Sequence, residues 1–94
     1  MNQVKAVFNG KFDLVENIKI SPFSRAYTFS DSVYEVIPFF KSKPIAFSMH
    51  LERLKYSSTE LAMNIEIEKI SSEINNLISS CESNSGYVYY QITR

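Results

Sequence analysis

Apolar and polar residues alternate near both ends of this chain, and between the ends they recur at three- and four-residue spacing. From Gln3 to Phe8, Val4, Ala6 and Phe8 fall on one side and Gln3, Lys5 and Val7 on the other. Asn9-Gly10 follows, the pair best suited to positive φ at both central positions of a tight hairpin turn, and Lys11-Phe12-Asp13 returns. Leu14 to Pro22 is a connection in which Ile18 and Ile20 flank Lys19, the pattern of a short edge strand. Ser32 to Phe40 is rich in β-formers, with Pro38 marking a sheet edge or a bulge. Lys41-Ser42-Lys43-Pro44 then turns the chain into a short returning strand, Ile45-Ala46-Phe47.

The period then changes. Ser48 is a candidate helix cap, followed by Leu51, Leu54, Ser58, Leu61 and Ala62 at helical spacing. Met63 to Ile67 changes direction. Ile67, Ile70, Ile74, Leu77, Ile78 and Cys81 form the stripe of a second helix whose other faces are polar, which places Cys81 among buried, inert thiols. Glu82 to Gly86 is a polar turn. Tyr87 to Thr93 is a last strand, with Tyr87, Tyr89, Gln91 and Thr93 on one face and Val88, Tyr90 and Ile92 on the other. The order hairpin, hairpin, helix, helix, strand predicts an α+β fold: one domain over residues 1–94, a small antiparallel sheet with two helices on one face.

Composition narrows the function. The 94 residues carry ten acidic and ten basic side chains, so nothing favours electrostatic attraction to nucleic acid. The N-terminus has no apolar leader pattern and no run approaches membrane-spanning length, so no membrane partner is expected and a cytoplasmic location is the default. A lone cysteine forms no internal disulfide, and a lone histidine without suitably spaced carboxylates gives no metal site. Neither glycine opens a helix, so there is no phosphate-cradling loop. The seven Phe and six Tyr are enough to fill a core and leave some rings for a partner.

Chemistry concentrates between Phe23 and Arg53. Successive helical residues turn by about 100°, so His50 lies close to the Leu54–Leu61 stripe and Arg53 falls at its rim. Arg53 either takes an anion in bidentate fashion at the edge of a pocket or sits in solvent beside Glu52 or Glu60. His50 is its partner or a plain first-turn residue. Tyr34 aims its hydroxyl into a cleft or packs across strands, and Glu35 points to the opposite face of the sheet. Arg25 stacks on a neighbouring ring or pairs with Asp31.

FNGKF, ISPFSRAYTFSDSVYEVI, KPIAFSMHLERL and YVYYQITR, in this order, resemble the N-terminal part of the class IV (fold-type IV) aminotransferases, which use pyridoxal 5′-phosphate. YEVI and YYQITR are most similar to the D-amino-acid (D-alanine) branch; branched-chain aminotransferases and aminodeoxychorismate lyases are close relatives. The resemblance implies that Arg53 holds the cofactor phosphate, that Tyr34 lies on the substrate side, and that Arg25 and His50 support the site or a dimer contact. Where the family has Asp-Arg-Gly-Phe and Phe-Gly-Asp-Gly, this chain has Ser24-Arg25-Ala26-Tyr27 and Phe29-Ser30-Asp31-Ser32, so the loop geometry must differ.

In the family the catalytic lysine, the acidic partner of the pyridine ring and most phosphate contacts lie in a second, C-terminal domain. No lysine from Lys5 to Lys69 matches that lysine. The resemblance therefore implies the small N-terminal domain of an aminotransferase with its C-terminal domain missing, inactive and without bound cofactor by itself, and dimeric in the full-length form. The alternative is a non-catalytic module that keeps this fold and self-associates or binds a partner through its aromatic surface.

Overall fold

The computed structural model describes residues 4–24 and 32–94. Arg25, together with Ala26, Tyr27 and Asp31, lies outside the described residues. The first hairpin pairs β1 (Lys5–Phe8) with β2 (Lys11–Leu14), Val7 opposite Phe12. Asn9 and Gly10 both have positive φ, 52° and 83°, as the two-residue turn requires.

The expected edge strand at Ile18–Ile20 does not form. Asp13 Oδ1 accepts hydrogen bonds from its neighbour Leu14 N–H at 2.7 Å and from Asn17 Nδ2 at 2.8 Å, and Val15–Asn17 close into one 3₁₀ turn. These local bonds divert the backbone before it can align with a strand.

The centre of the fold is β3 (Ser32–Phe40), flanked in the order β4-β3-β5 by β4 (Lys43–Pro44) and β5 (Gly86–Thr93), all antiparallel. Among the described residues the strands thus form two separate sheets, one of two strands and one of three. Pro38 causes no bulge and sits in register with Tyr87. Its carbonyl accepts from Ile45 N–H at 2.8 Å. Donor and acceptor of one strand residue point the same way, so the missing N–H faces the β4 side and leaves the β3–β5 ladder intact. The β3–β4 turn places Lys41 and Ser42 at φ 52° and 61°, a left-handed pair built without glycine.

The helices are α1 (Phe47–Glu60) and α2 (Ile67–Ser80). The expected strand over Ile45–Phe47 is shorter than its pattern suggests: pairing stops at Pro44, and Phe47 already opens α1. Ser48 is not the cap. Ala46, left-handed at φ 53°, occupies that position without a side-chain bond. This sharp reversal turns the chain directly from β4 into α1. At the other end of α1, Ala62 (φ 56°) and Met63 donate to the carbonyls of Thr59 and Ser58 at 2.9 and 2.8 Å. That is a Schellman cap with alanine where glycine is usual.

Both helices pack on one face of the three-stranded sheet. Val33, Ile37 and Phe39 of β3 and Val88 of β5 meet Leu54 of α1 and Ile70, Ile74 and Ile78 of α2. Each such burial contributes about 1.5–3 kcal/mol. Ser58, fully buried on the α1 stripe, satisfies its hydroxyl on the Lys55 carbonyl at 2.9 Å. A side chain at Gly86 would come within 3.2 Å of the buried Phe39 ring, which explains a glycine at the start of β5. Cys81 is exposed rather than buried, because the helix ends at Ser80 and extended backbone carries Cys81 off the stripe.

Ala62 gives a test of the helix ending. Ala62→Gly relieves a left-handed alanine at an exposed cap and should stabilise the chain by about 1 kcal/mol, read as a higher urea midpoint with unchanged slope. A lower midpoint would show that this backbone geometry is wrong.

Candidate functional site

Alternation along β3 separates two kinds of surface. Val33, Glu35, Ile37 and Phe39 turn toward the helices and are buried. Tyr34, Val36 and Phe40 turn outward and are exposed. Glu35 is therefore a carboxylate in a row of core side chains, with only 4% of its side chain exposed. A charge in that position needs cationic partners and hydrogen bonds.

α1 supplies both. His50 and Arg53, one helical turn apart, converge on Glu35. Arg53 Nε donates to Glu35 Oε2 at 2.8 Å and Arg53 Nη2 donates to Oε1 at 2.8 Å, a side-on bidentate pair. His50 Nδ1 lies 2.7 Å from Oε1. Since a carboxylate only accepts, His50 Nδ1 is the donor in this contact. His50 Nδ1 and Arg53 Nη2, 3.5 Å apart, are then two donors side by side around one acceptor. No buried side-chain polar atom among the described residues lacks a partner.

The electrostatics follow from this geometry. The Arg53 hydrogen bonds hold the Glu35 carboxyl below its ordinary range; burial opposes them, and the His50 bond adds to the lowering. Arg53 is raised in turn, chiefly by its bonds to Glu35. Its side chain remains 65% exposed, so the guanidinium has one edge on the protein and another toward solvent. Ala46, Met49, His50, Glu52 and Arg53 line a shallow depression there of about 390 Å³.

Tyr34 is not part of this cluster. It lies on the other face of β3, 62% exposed, and stacks on Tyr89 with ring centroids 5.8 Å apart and planes 18° from parallel. β4 pairs only with Phe39 and Phe40, so among the described residues the edge of β3 beside Tyr34 and Glu35 has no neighbouring strand. Arg53 reaches Glu35 on this strand from α1. The Tyr34 phenol is near enough that its ionised form adds to the raising of the guanidinium pKa, as the smallest contribution. The sequence expectation of Arg53 in solvent beside Glu52 or Glu60 is replaced by the pair with Glu35. Arg25 lies outside the described residues.

Sequence reasoning placed Glu35 opposite Tyr34 but gave it no role. The available signal was a charged residue at an inward position between Val33 and Ile37. Such a residue calls for a cation, and His50 and Arg53 sit at i and i+3 on the rim of the facing helix.

A second hollow, about 550 Å³, lies between β1, α2 and β5, lined by Val4, Val7, Leu77, Ile78 and Val88 among others. The charged side chains on it are engaged: Lys5 Nζ donates to the Ser80 carbonyl at 2.6 Å, and Glu73 accepts from the Tyr90 hydroxyl at 3.3 Å. Burial, with Glu73 beside it, pushes the Tyr90 phenol up to about 12. This hollow brings no reactive constellation together.

Comparison with known proteins agrees with the fold and the placement of these elements. Residues 32–94 match the family described as amino-transferase class IV. The chain is 32% identical over 92 residues to the D-alanine aminotransferase of Staphylococcus epidermidis, covering 96% of this chain and 33% of that protein. It is 28% identical over 93 residues to the D-alanine aminotransferase of Listeria monocytogenes, covering 97% and 32%. The chain thus spans about a third of the length of these curated relatives. The crystal structure of the Escherichia coli branched-chain amino acid aminotransferase superposes with a TM-score of 0.86 at 22% identity, over 99% of this chain and 32% of that one, which establishes the shared fold. With the family pattern running from the start of β3 to the end of the chain, through Glu35, His50 and Arg53, the chain belongs to the class IV aminotransferase family.

Proposed function

We propose that this chain is the N-terminal, phosphate-anchoring portion of a pyridoxal-phosphate-dependent aminotransferase that moves amino groups between D-amino acids and 2-oxo acids. The observation that carries the reading is the outward edge of Arg53. Glu35 occupies Nε and one hydrogen of Nη2. The two Nη1 hydrogens and the second Nη2 hydrogen remain, a fork that matches two phosphate oxygens. These donors fit the phosphate end of the cofactor.

Bound pyridoxal phosphate would supply the electron sink for amino-group transfer. This chain's own work is binding and orientation. Arg53 would hold the phosphate. Tyr34, around the open edge of β3, would face the substrate with its hydroxyl. His50 would keep the Glu35 carboxylate in place, and Arg25 is retained as a supporting residue. The Glu35 carboxylate offsets the charge of Arg53, so a phosphate meets one fork backed by a neutralised pair. That supports weak anion binding by this portion alone and a need for a C-terminal domain to complete the site. Assembly as a dimer belongs to the same proposal.

A second reading has its own observation. Tyr34, Val36, Phe40, Tyr87 and Tyr89 form an exposed, largely apolar strip across β3 and β5. Such a strip fits a non-catalytic module that self-associates or covers a partner.

One hybrid protein separates the readings. Residues 1–94 joined to the remaining two thirds of the Staphylococcus epidermidis D-alanine aminotransferase should hold pyridoxal phosphate and transaminate D-alanine. Arg53→Ala in that hybrid should weaken cofactor affinity by about tenfold or more, measured by equilibrium dialysis. Unchanged cofactor affinity in the variant contradicts the assignment of Arg53. A folded but inert hybrid, with self-association of the 94-residue chain, favours the second reading.

The charge arrangement also fixes a pH dependence. The Glu35 pKa in the folded chain lies below its ordinary value, 4.5. Its contribution to stability is therefore complete above that ordinary value and is lost as pH falls through the folded value. Glu35→Gln should lower the urea midpoint at neutral pH and flatten its decline below about pH 4.5. Some decline persists, because Asp13 is likewise held low by Asn17 and the Leu14 N–H. An equally steep decline in the variant would show that Glu35 is not held low.

A further inference from the structure

We infer that Glu35 is the positioning residue of the anion site: it clamps the Arg53 guanidinium side-on and thereby aims its free edge at the phosphate. The inference rests on the phosphate reading of Arg53 and assigns a role to a residue that does not itself touch the ligand.

A guanidinium has five N–H donors in a fixed plane. An exposed arginine on a helix rim samples many rotamers, and an anion that binds it must bear the entropy of fixing one of them. Here that choice is already made. Both carboxylate oxygens of Glu35 engage the Nε–Nη2 edge at 2.8 Å, so the plane of the guanidinium is set by a buried group. Glu35 is itself fixed from two sides, by the core packing of β3 and by His50 Nδ1 at 2.7 Å. The chain of constraint runs from the core through Glu35 to Arg53, and only the last member reaches solvent.

A carboxylate serving stability alone is a poor choice for this position. Apolar side chains of similar volume often replace a buried ion pair without loss. Each neighbouring inward position on β3 is apolar. The feature a carboxylate provides and an apolar side chain does not is orientation of a cation at the surface. It also neutralises Arg53 when the site is empty, so a singly charged ion from solution gains little there. Glutamine would serve poorly, since its one oxygen replaces only one of the two carboxylate oxygens and its amide NH₂ would confront the donor at the other position. Lysine at position 53 would keep a positive charge but has no second edge to be clamped.

The test is a double-mutant cycle on phosphate binding. The probe is pyridoxine 5′-phosphate, which has no aldehyde to react with lysines, followed by ³¹P NMR titration on the hybrid of residues 1–94 with the C-terminal two thirds of the Staphylococcus epidermidis enzyme. In the parent, Glu35→Gln should weaken binding about tenfold. In an Arg53→Lys background, where nothing is clamped, the same change should cost less than about twofold. A merely structural role for Glu35 would cost the same in both backgrounds and would overturn the proposal. So would parent-like affinity in Glu35→Gln. If Arg53→Ala binds the probe as the parent does, or the parent does not bind it, the phosphate reading itself falls and the proposal with it. If Arg53→Ala weakens binding and Glu35→Gln does not, only the positioning role falls. Should Glu35→Gln fail to fold by circular dichroism, Glu35→Asp takes its place in the cycle. It keeps the charge on a shorter arm and should show a smaller loss in the same direction, again confined to the arginine background.

Discussion

A buried carboxylate is the constraint on which the rest of this structure depends. Glu35 sits among Val33, Ile37 and Phe39 on the face of β3 that the helices cover. Left alone there, its charge would cost several kcal/mol in desolvation. The fold compensates by bringing His50 and Arg53, 15 and 18 residues away, into hydrogen-bonding distance of its two oxygens. This draws a long, exposed arginine inward by one edge while the other stays in water.

The period of two along β3 turns this local arrangement into a division of labour. One face packs the core and carries the carboxylate. The other carries Tyr34 stacked on Tyr89, with Val36 and Phe40 beyond. Arg53 binds Glu35 from the helix side, and its charge also senses Tyr34 on the other face. The family match, through residues 32–94, covers β3, both helices and β5.

Most of the architecture was legible in the sequence, because strong local signals agreed with tertiary packing. Asn9-Gly10 announced the first turn, the β-branched run marked β3, the isoleucine stripe marked α2, and the tyrosine alternation marked β5. What was not legible depended on backbone conformations without their usual residues. Ala46 and Ala62 adopt left-handed φ with no glycine to signal it, so the strand before α1 and its cap at Ser48 were misplaced. Ile18 and Ile20 showed a strand pattern that the Asp13 bonds override. Cys81 continued the stripe on paper but fell one residue past the end of the helix. For the site, the residue types at 34, 50 and 53 stood out individually. Their connection through Glu35 did not, since a pairing across 18 positions leaves no mark in local spacing.

Glu35 holds Arg53 along one edge, and the proposed anion site uses the other. The most direct measurement is the Arg53 side-chain Nε–H signal in ¹H–¹⁵N NMR, before and after addition of pyridoxine 5′-phosphate. A resolved signal is expected, protected from solvent exchange in the free chain and lost in Glu35→Gln. On adding the ester, the Nη signals should move while the Nε–H stays protected. An Nε–H that exchanges freely in the parent, or Nη signals that ignore the phosphate, would contradict this arrangement.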